Sequence, residues 1–132
     1  MRKIPLGTKA TFEMTVRPEH LANQFKDAIL PQVLATPVMI MMMENAALNA
    51  IRPYLDPGES AVGTAIAVSH LAATPVSHMV RAEAEVIGVD GRRVEFKVSA
   101  RDEAEEIGNG THQRIVINLG SFNERLANKS KR

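Results

Sequence analysis

The longest apolar stretch in the chain is VLATPVMIMMMENAALNAI, Val33 to Ile51, and it carries a single carboxylate, Glu44, near its middle. Thr36 followed by Pro37 reads as an N-cap hydroxyl with proline at the first helical position, where a missing N–H costs nothing. The pattern therefore predicts a helix from Pro37 to Ile51. At about 3.6 residues per turn, Asn45, Asn49 and Arg52 share one face, while Glu44 falls on the stripe of Ile40, Met41, Leu48 and Ile51. A helix apolar nearly all round is a buried helix, and at about sixteen residues it is short of the roughly 20 needed to span a bilayer.

The rest of the chain alternates as strands do. From Thr8 to Val16, residues Ala10, Phe12, Met14 and Val16 fall on one face and charged or hydroxyl side chains on the other. Pro18 to Leu30 is a mixed connecting stretch with room for one or two short helical turns before Pro31. After a turn-rich RPYLDPGES loop, Ser60 to Thr74 sets Thr64, Ile66, Val68 and His70 on one face and the small residues Gly63, Ala65, Ala67 and Ser69 on the other. Met79 to Val89 points Val80, Ala82, Ala84 and Val86 inward, Asp90-Gly91 signals a hairpin, and Arg92 to Arg101 answers with Val94, Phe96, Val98 and Ala100. The last predicted strand runs from about Glu106 to Leu119, with Ile115, Ile117 and Leu119 inward and His112, Arg114 and Val116 outward.

One strand, one buried helix and four more strands make an antiparallel sheet whose apolar face needs a cover. Only the helix from Pro37 to Ile51 is long and apolar enough, so the expected architecture is α+β: a hotdog fold, an antiparallel sheet wrapped around one long central helix. Such a sheet leaves free edges and an outer helix face for a partner chain, and a homodimer is expected.

Composition narrows the function. The 132 residues fit one domain, 1–132, with a basic and frayed tail at about 128–132. A net charge of +1 with interspersed signs gives no footprint for nucleic acid outside that tail. Without cysteine there is no disulfide, thiolate nucleophile or thiolate metal site, and the N-terminal MRKIPLGTKATF lacks the apolar core of a signal peptide, so a cytoplasmic protein with no membrane partner is expected. His20, His78 and His112 show no ligand spacing, and no metal is expected. Four of the seven methionines, Met39, Met41, Met42 and Met43, sit in the helix, where flexible thioethers fill a core or shape an apolar pocket.

Three segments, ATPVMIMMMENAAL, PYLDPGESAVGTAIAVSHLAATP and EEIGNGTHQRIVI, occur in an order that resembles the hotdog-fold acyl-CoA thioesterases, in particular the fluoroacetyl-CoA thioesterase-like branch. The similarity runs from about Leu34 to Phe122. It implies an active site of Thr36 at the helix start, Glu44 two turns on and His70 on the next strand, with Gly63 and Arg114 lining the acyl pocket or touching coenzyme A. It also implies hydrolysis of a small or medium acyl-CoA to free acid and CoA, with no cofactor beyond the coenzyme carried by the substrate. Members selective for fluoroacetate close the pocket with aromatic residues before the helix; here NQFKDAILPQVLAT offers only Phe25, with Leu30 nearer the helix, which argues against that selectivity.

Thioester hydrolysis needs a nucleophile or activated water, a base and a donor for the oxyanion. Glu44, a carboxylate in an apolar run, is either part of such a site or paired with Arg52 or another arginine. Thr36 is an N-cap or a reacting hydroxyl, His70 a core residue or a proton relay, and Arg114 a surface charge or a fork for a phosphate. Thr36 and Glu44 are about 12 Å apart along the helix axis, too far for direct contact, so they share a substrate only if it lies along the helix or if the partner subunit supplies one of them. A hotdog acyl-CoA hydratase or dehydratase and a non-catalytic acyl-CoA binding domain are the alternatives.

Overall fold

Residues 1–131 are described by a computed structural model. Five antiparallel strands, β1 (Lys9–Thr15), β2 (Glu59–His70), β3 (Met79–Asp90), β4 (Arg93–Arg101) and β5 (Glu106–Asn118), form one sheet in the order β1-β3-β4-β5-β2. Between β1 and β2 lie a short 3₁₀ turn (Pro18–His20), the single-turn helix α1 (Ala22–Phe25), the long helix α2 (Thr36–Ile51) and a second 3₁₀ turn (Arg52–Tyr54). The sheet curls around α2, which lies mainly over β1, β3 and β4. This is the hotdog fold.

The core follows the alternation. Val80, Ala82, Ala84 and Val86 from β3 and Val94, Phe96, Val98 and Ala100 from β4 are fully enclosed against Met39, Met42, Met43, Ala46 and Ala47 of α2. Alanines on the facing strands leave space that long thioethers fill, and three of the four clustered methionines serve that purpose. Met41 faces away from the core, where it accepts from Asn45 Nδ2 at 3.1 Å. The expected polar stripe is used within the chain: Asn49 Nδ2 donates to the Thr11 carbonyl of β1 at 3.2 Å, and Arg52 Nη2 donates to Asn49 Oδ1 at 3.3 Å.

Four local readings change. Helix α2 starts one residue earlier, with Ala35 as its N-cap and no side-chain cap, so Thr36 is the first helical residue and its hydroxyl is free for other work. Gly63 sits on the inner face, because a bulge between Gly63 and Ala65 inserts Thr64 and shifts the alternation of β2 by one residue. The phase of β5 is reversed: His112, Arg114 and Val116 are buried, because they stand opposite the inward residues Phe96 and Val94 of β4 and beside Ala61 and Gly63 of β2. Finally, Leu119 begins a third helix, α3 (Leu119–Ser130), capped by Asn118 Oδ1 accepting from the Ser121 N–H at 3.0 Å. Residues 128–130, expected in a frayed tail, form the end of that helix, and Arg132 lies outside the described residues.

Candidate active site

The five residues singled out in the sequence gather in two places on α2. At its N-terminal end the Thr36 hydroxyl lies 2.8 Å from His70 Nδ1. The two are brought together by the first turn of α2 and the last residue of β2, which stands opposite Gly108 on β5. Gly108 is close-packed: a Cβ there would lie 2.6 Å from Met39 Sδ and 2.9 Å from the Ser69 carbonyl oxygen. Burial holds His70 below its ordinary pKa of 6.5, opposed by the nearby Ala72 backbone. The ring is thus neutral near pH 7 and has one lone pair to offer. With Nδ1 as the acceptor, the Thr36 O–H donates, the geometry of a hydroxyl beside its base.

This pair borders a cavity of about 370 Å³ walled by Ala22, Leu30, Val33, Leu34, Leu71 and Ala72, with Lys26 at its rim. The walls are aliphatic. Phe25, the one aromatic residue of the preceding segment, does not line it and is 54% exposed. A larger cavity, about 980 Å³, lies between the N-terminal segment and the β3–β4 turn, but none of the five residues borders it and its walls bring no base or nucleophile together.

The second group surrounds Glu44, two turns along α2. A Cβ on Gly63 would lie 3.0 Å from Glu44 Oε2, 3.2 Å from His112 Cε1 and 3.8 Å from Arg114 Nη1, so these four residues are packed together and any larger residue at 63 would require the Glu44 carboxylate to shift. Arg114 is 8% exposed, yet neither it nor Glu44 forms an ion pair among the described residues. Burial lowers the Arg114 pKa from its ordinary value, and the charge of Glu44 opposes that shift. Arg52, a possible partner for Glu44 in the sequence, bonds to Asn49 instead.

Sequence reasoning put Arg114 on the outer surface and gave His112 no part. The structure buries both beside Glu44. The usable signal was register: once β4 is fixed by Val94, Phe96 and Val98, a hairpin partner must share its faces, whatever the polarity of the residues there.

The chain is similar to known proteins along most of its length. Residues 16–119 match the family model of the fluoroacetyl-CoA-specific thioesterase. The fluoroacetyl-CoA thioesterase of Streptantibioticus cattleyicolor is 43% identical over 130 residues, covering 95% of this chain and 94% of the relative. A solved structure of a fluoroacetyl-CoA-specific thioesterase mutant, in complex with fluoroacetate and CoA, superposes with a TM-score of 0.86 at 43% identity over 90% of this chain and 99% of its own. A Thermus thermophilus protein of the thioesterase superfamily superposes with a TM-score of 0.93 at 30% identity, covering 99% of this chain and 96% of its own. The chain belongs to the fluoroacetyl-CoA-specific thioesterase family and has the hotdog fold of the thioesterase superfamily.

Proposed function

We propose that the protein hydrolyses the thioester of a small or medium aliphatic acyl-CoA, at two composite sites of a cytoplasmic homodimer. The observation that carries this reading is the 2.8 Å contact between the Thr36 hydroxyl and His70 Nδ1 at the mouth of an aliphatic cavity. His70 takes the proton of the Thr36 hydroxyl, or of a water that the hydroxyl orients, as the C–O bond to the thioester carbonyl forms. The same proton then passes to the departing sulfur of coenzyme A as the C–S bond breaks; where Thr36 itself attacks, a water next adds to the resulting Thr36 ester, giving its proton to His70, which returns it to the Thr36 oxygen as the ester C–O bond breaks and the free acid leaves. Arg114 stabilises the negative charge that builds up, and Glu44 acts as the second acid–base group. Base, nucleophile and charge stabilisation are all supplied by side chains, so the reaction asks for no metal and no cofactor, and coenzyme A enters as part of the substrate.

Support for a dimer comes from the edge and the helix. β2 is a 12-residue strand bonded on one side only, and it is exposed from Gly63 to Ala67. An edge that long is a template for pairing. Ile40, Glu44 and Leu48 form a row along one side of α2 that is only half-buried. A second copy docked on this side brings its Glu44 and Arg114 toward the Thr36–His70 pair, closing the gap of about 12 Å that one helix imposes. Aliphatic walls of Leu30, Val33 and Leu34 favour a hydrocarbon acyl group over the polar fluoroacetyl group.

Release of free thiol from a panel of acyl-CoAs tests the assignment. Turnover is expected to peak at short or medium unfluorinated chains. Tight binding of acyl-CoA without thiol release rejects the enzyme and supports a binding domain.

A further inference from the structure

Arg114 is a buried cation held by neutral groups. Its Nη2 donates to the Ala61 carbonyl at 2.8 Å, its Nη1 lies 3.2 Å from His112 Nε2, and its Nε is buried with no acceptor. A guanidinium has N–H donors and no lone pair, so it donates at every one of these contacts. His112 Nε2 therefore accepts, which puts the imidazole proton on Nδ1, where it donates to the Ala65 carbonyl at 2.8 Å. Phe96 stacks on the ring from β4, with centroids 5.8 Å apart and planes 24° apart. The groups around the imidazole are Arg114 on its own strand, Glu44 from α2, and uncharged Gly63 and Phe96 from β2 and β4. Burial lowers the pKa of His112 from its ordinary 6.5, opposed by the Ala65 carbonyl and reinforced by the Arg114 charge.

We propose that His112 is a positioning residue: a neutral, Nδ1-protonated imidazole that anchors Arg114 Nη1 and leaves the remaining Nη hydrogens for an anionic oxygen of the acyl-CoA substrate. The inference rests on the reading of Arg114 as a substrate-binding group. A carboxylate in the same place would fix the guanidinium equally well but neutralise it. An imidazole lone pair and a backbone carbonyl fix its plane and leave the charge intact. Both side chains pass close to Gly63, where an added Cβ would lie 3.2 Å from His112 Cε1 and 3.8 Å from Arg114 Nη1.

The test is kcat/KM for thiol release from acetyl-CoA by the parent protein and by His112→Asn, His112→Gln, Arg114→Gln and His112→Asn/Arg114→Gln. Asparagine can keep the Ala65 bond made by Nδ1 but is too short to reach Arg114, whereas glutamine places an amide oxygen where Nε2 stood. Arg114→Gln is expected to lower kcat/KM about 100-fold and His112→Asn at least ~10-fold, the scale of a hydrogen bond to a charged group. His112→Gln should recover most of that loss, and the double variant should be no worse than Arg114→Gln alone. Folded His112→Asn and His112→Gln proteins of equal kcat/KM overturn the inference, as does a double variant whose losses multiply. An Arg114→Gln protein with the parent kcat/KM rejects Arg114 as a substrate group, and His112 as its positioner falls with it.

Discussion

Thr36 changes role between sequence and structure, and the change makes it a clean probe. As an N-cap, its loss would remove about 1 kcal/mol of stability along with any chemistry. As the first residue of α2 it caps nothing, and its side chain is spent on His70. Thr36→Ala is therefore expected to keep the parent melting temperature and lose turnover by about 100-fold or more, while Thr36→Ser keeps most of it. Melting curves and thiol release on the same samples check both halves. Because burial holds His70 below 6.5, kcat/KM should be flat above that pH and fall on its acid side, as protonation of Nδ1 removes the lone pair that Thr36 needs. An acid limb with its midpoint above 6.5 contradicts this assignment. Glu44, by contrast, was visible from its setting alone, since a lone carboxylate in an apolar run needs an explanation.

At the scale of elements, β3 and β4 could be read residue by residue because nothing but packing acts on them. β5 was misread where polar side chains occupy its inner face. Its inner face carries His112 and Arg114 while Ile115 and Ile117 lie on the other side, so the hydrophobic pattern points the wrong way and only register with β4 corrects it. The same strand explains the glycines of EEIGNGTH. A Cβ at Gly110 would lie 2.1 Å from the Ala67 carbonyl oxygen and 2.7 Å from Val68 Cα, all backbone, with no flexible tip to move. Gly110→Ala must push β2 off β5 in the stretch that leads to His70. Its melting temperature should fall by several degrees, corresponding to about 1–3 kcal/mol of overpacking, with a loss of turnover beyond the unfolded fraction. A variant with parent stability would show that β2 yields there freely. Helix α3 escaped notice for a different reason: it buries none of its residues, and Leu119 continues the alternation of β5 by chance.

For the whole molecule, the titrating groups predict how stability varies with pH. His70 and His112 both have folded pKa values below 6.5, so the unfolded chain binds more protons in that window. Their contribution is complete above pH 6.5 and is lost as pH falls from there toward their folded values. At Asp102, burial works against the carboxylate, but N–H groups of Ala104 and Glu105 and the Thr74 hydroxyl overcome it and hold the pKa below 3.8. That contribution is present above pH 3.8 and is lost below it. Thermal unfolding followed across pH should show both falls, and a melting temperature that rises between pH 7 and pH 5 contradicts the buried, neutral histidines.

The composite site makes the sharpest demand on the assembly. A single chain holds Thr36 and His70 together but keeps Glu44 about two helical turns away, so the account requires that each working site take Glu44 from the other subunit. Glu44→Gln and Thr36→Ala proteins should each be folded, dimeric and nearly inactive. When the two are mixed in equal amounts and allowed to exchange subunits, half of the dimers are mixed, and each mixed dimer has one site with both groups intact. Thiol release should then recover to about one quarter of the parent rate. A fully exchanged mixture that stays as inactive as its two components contradicts the shared site and places Glu44, Thr36 and His70 at work within a single chain.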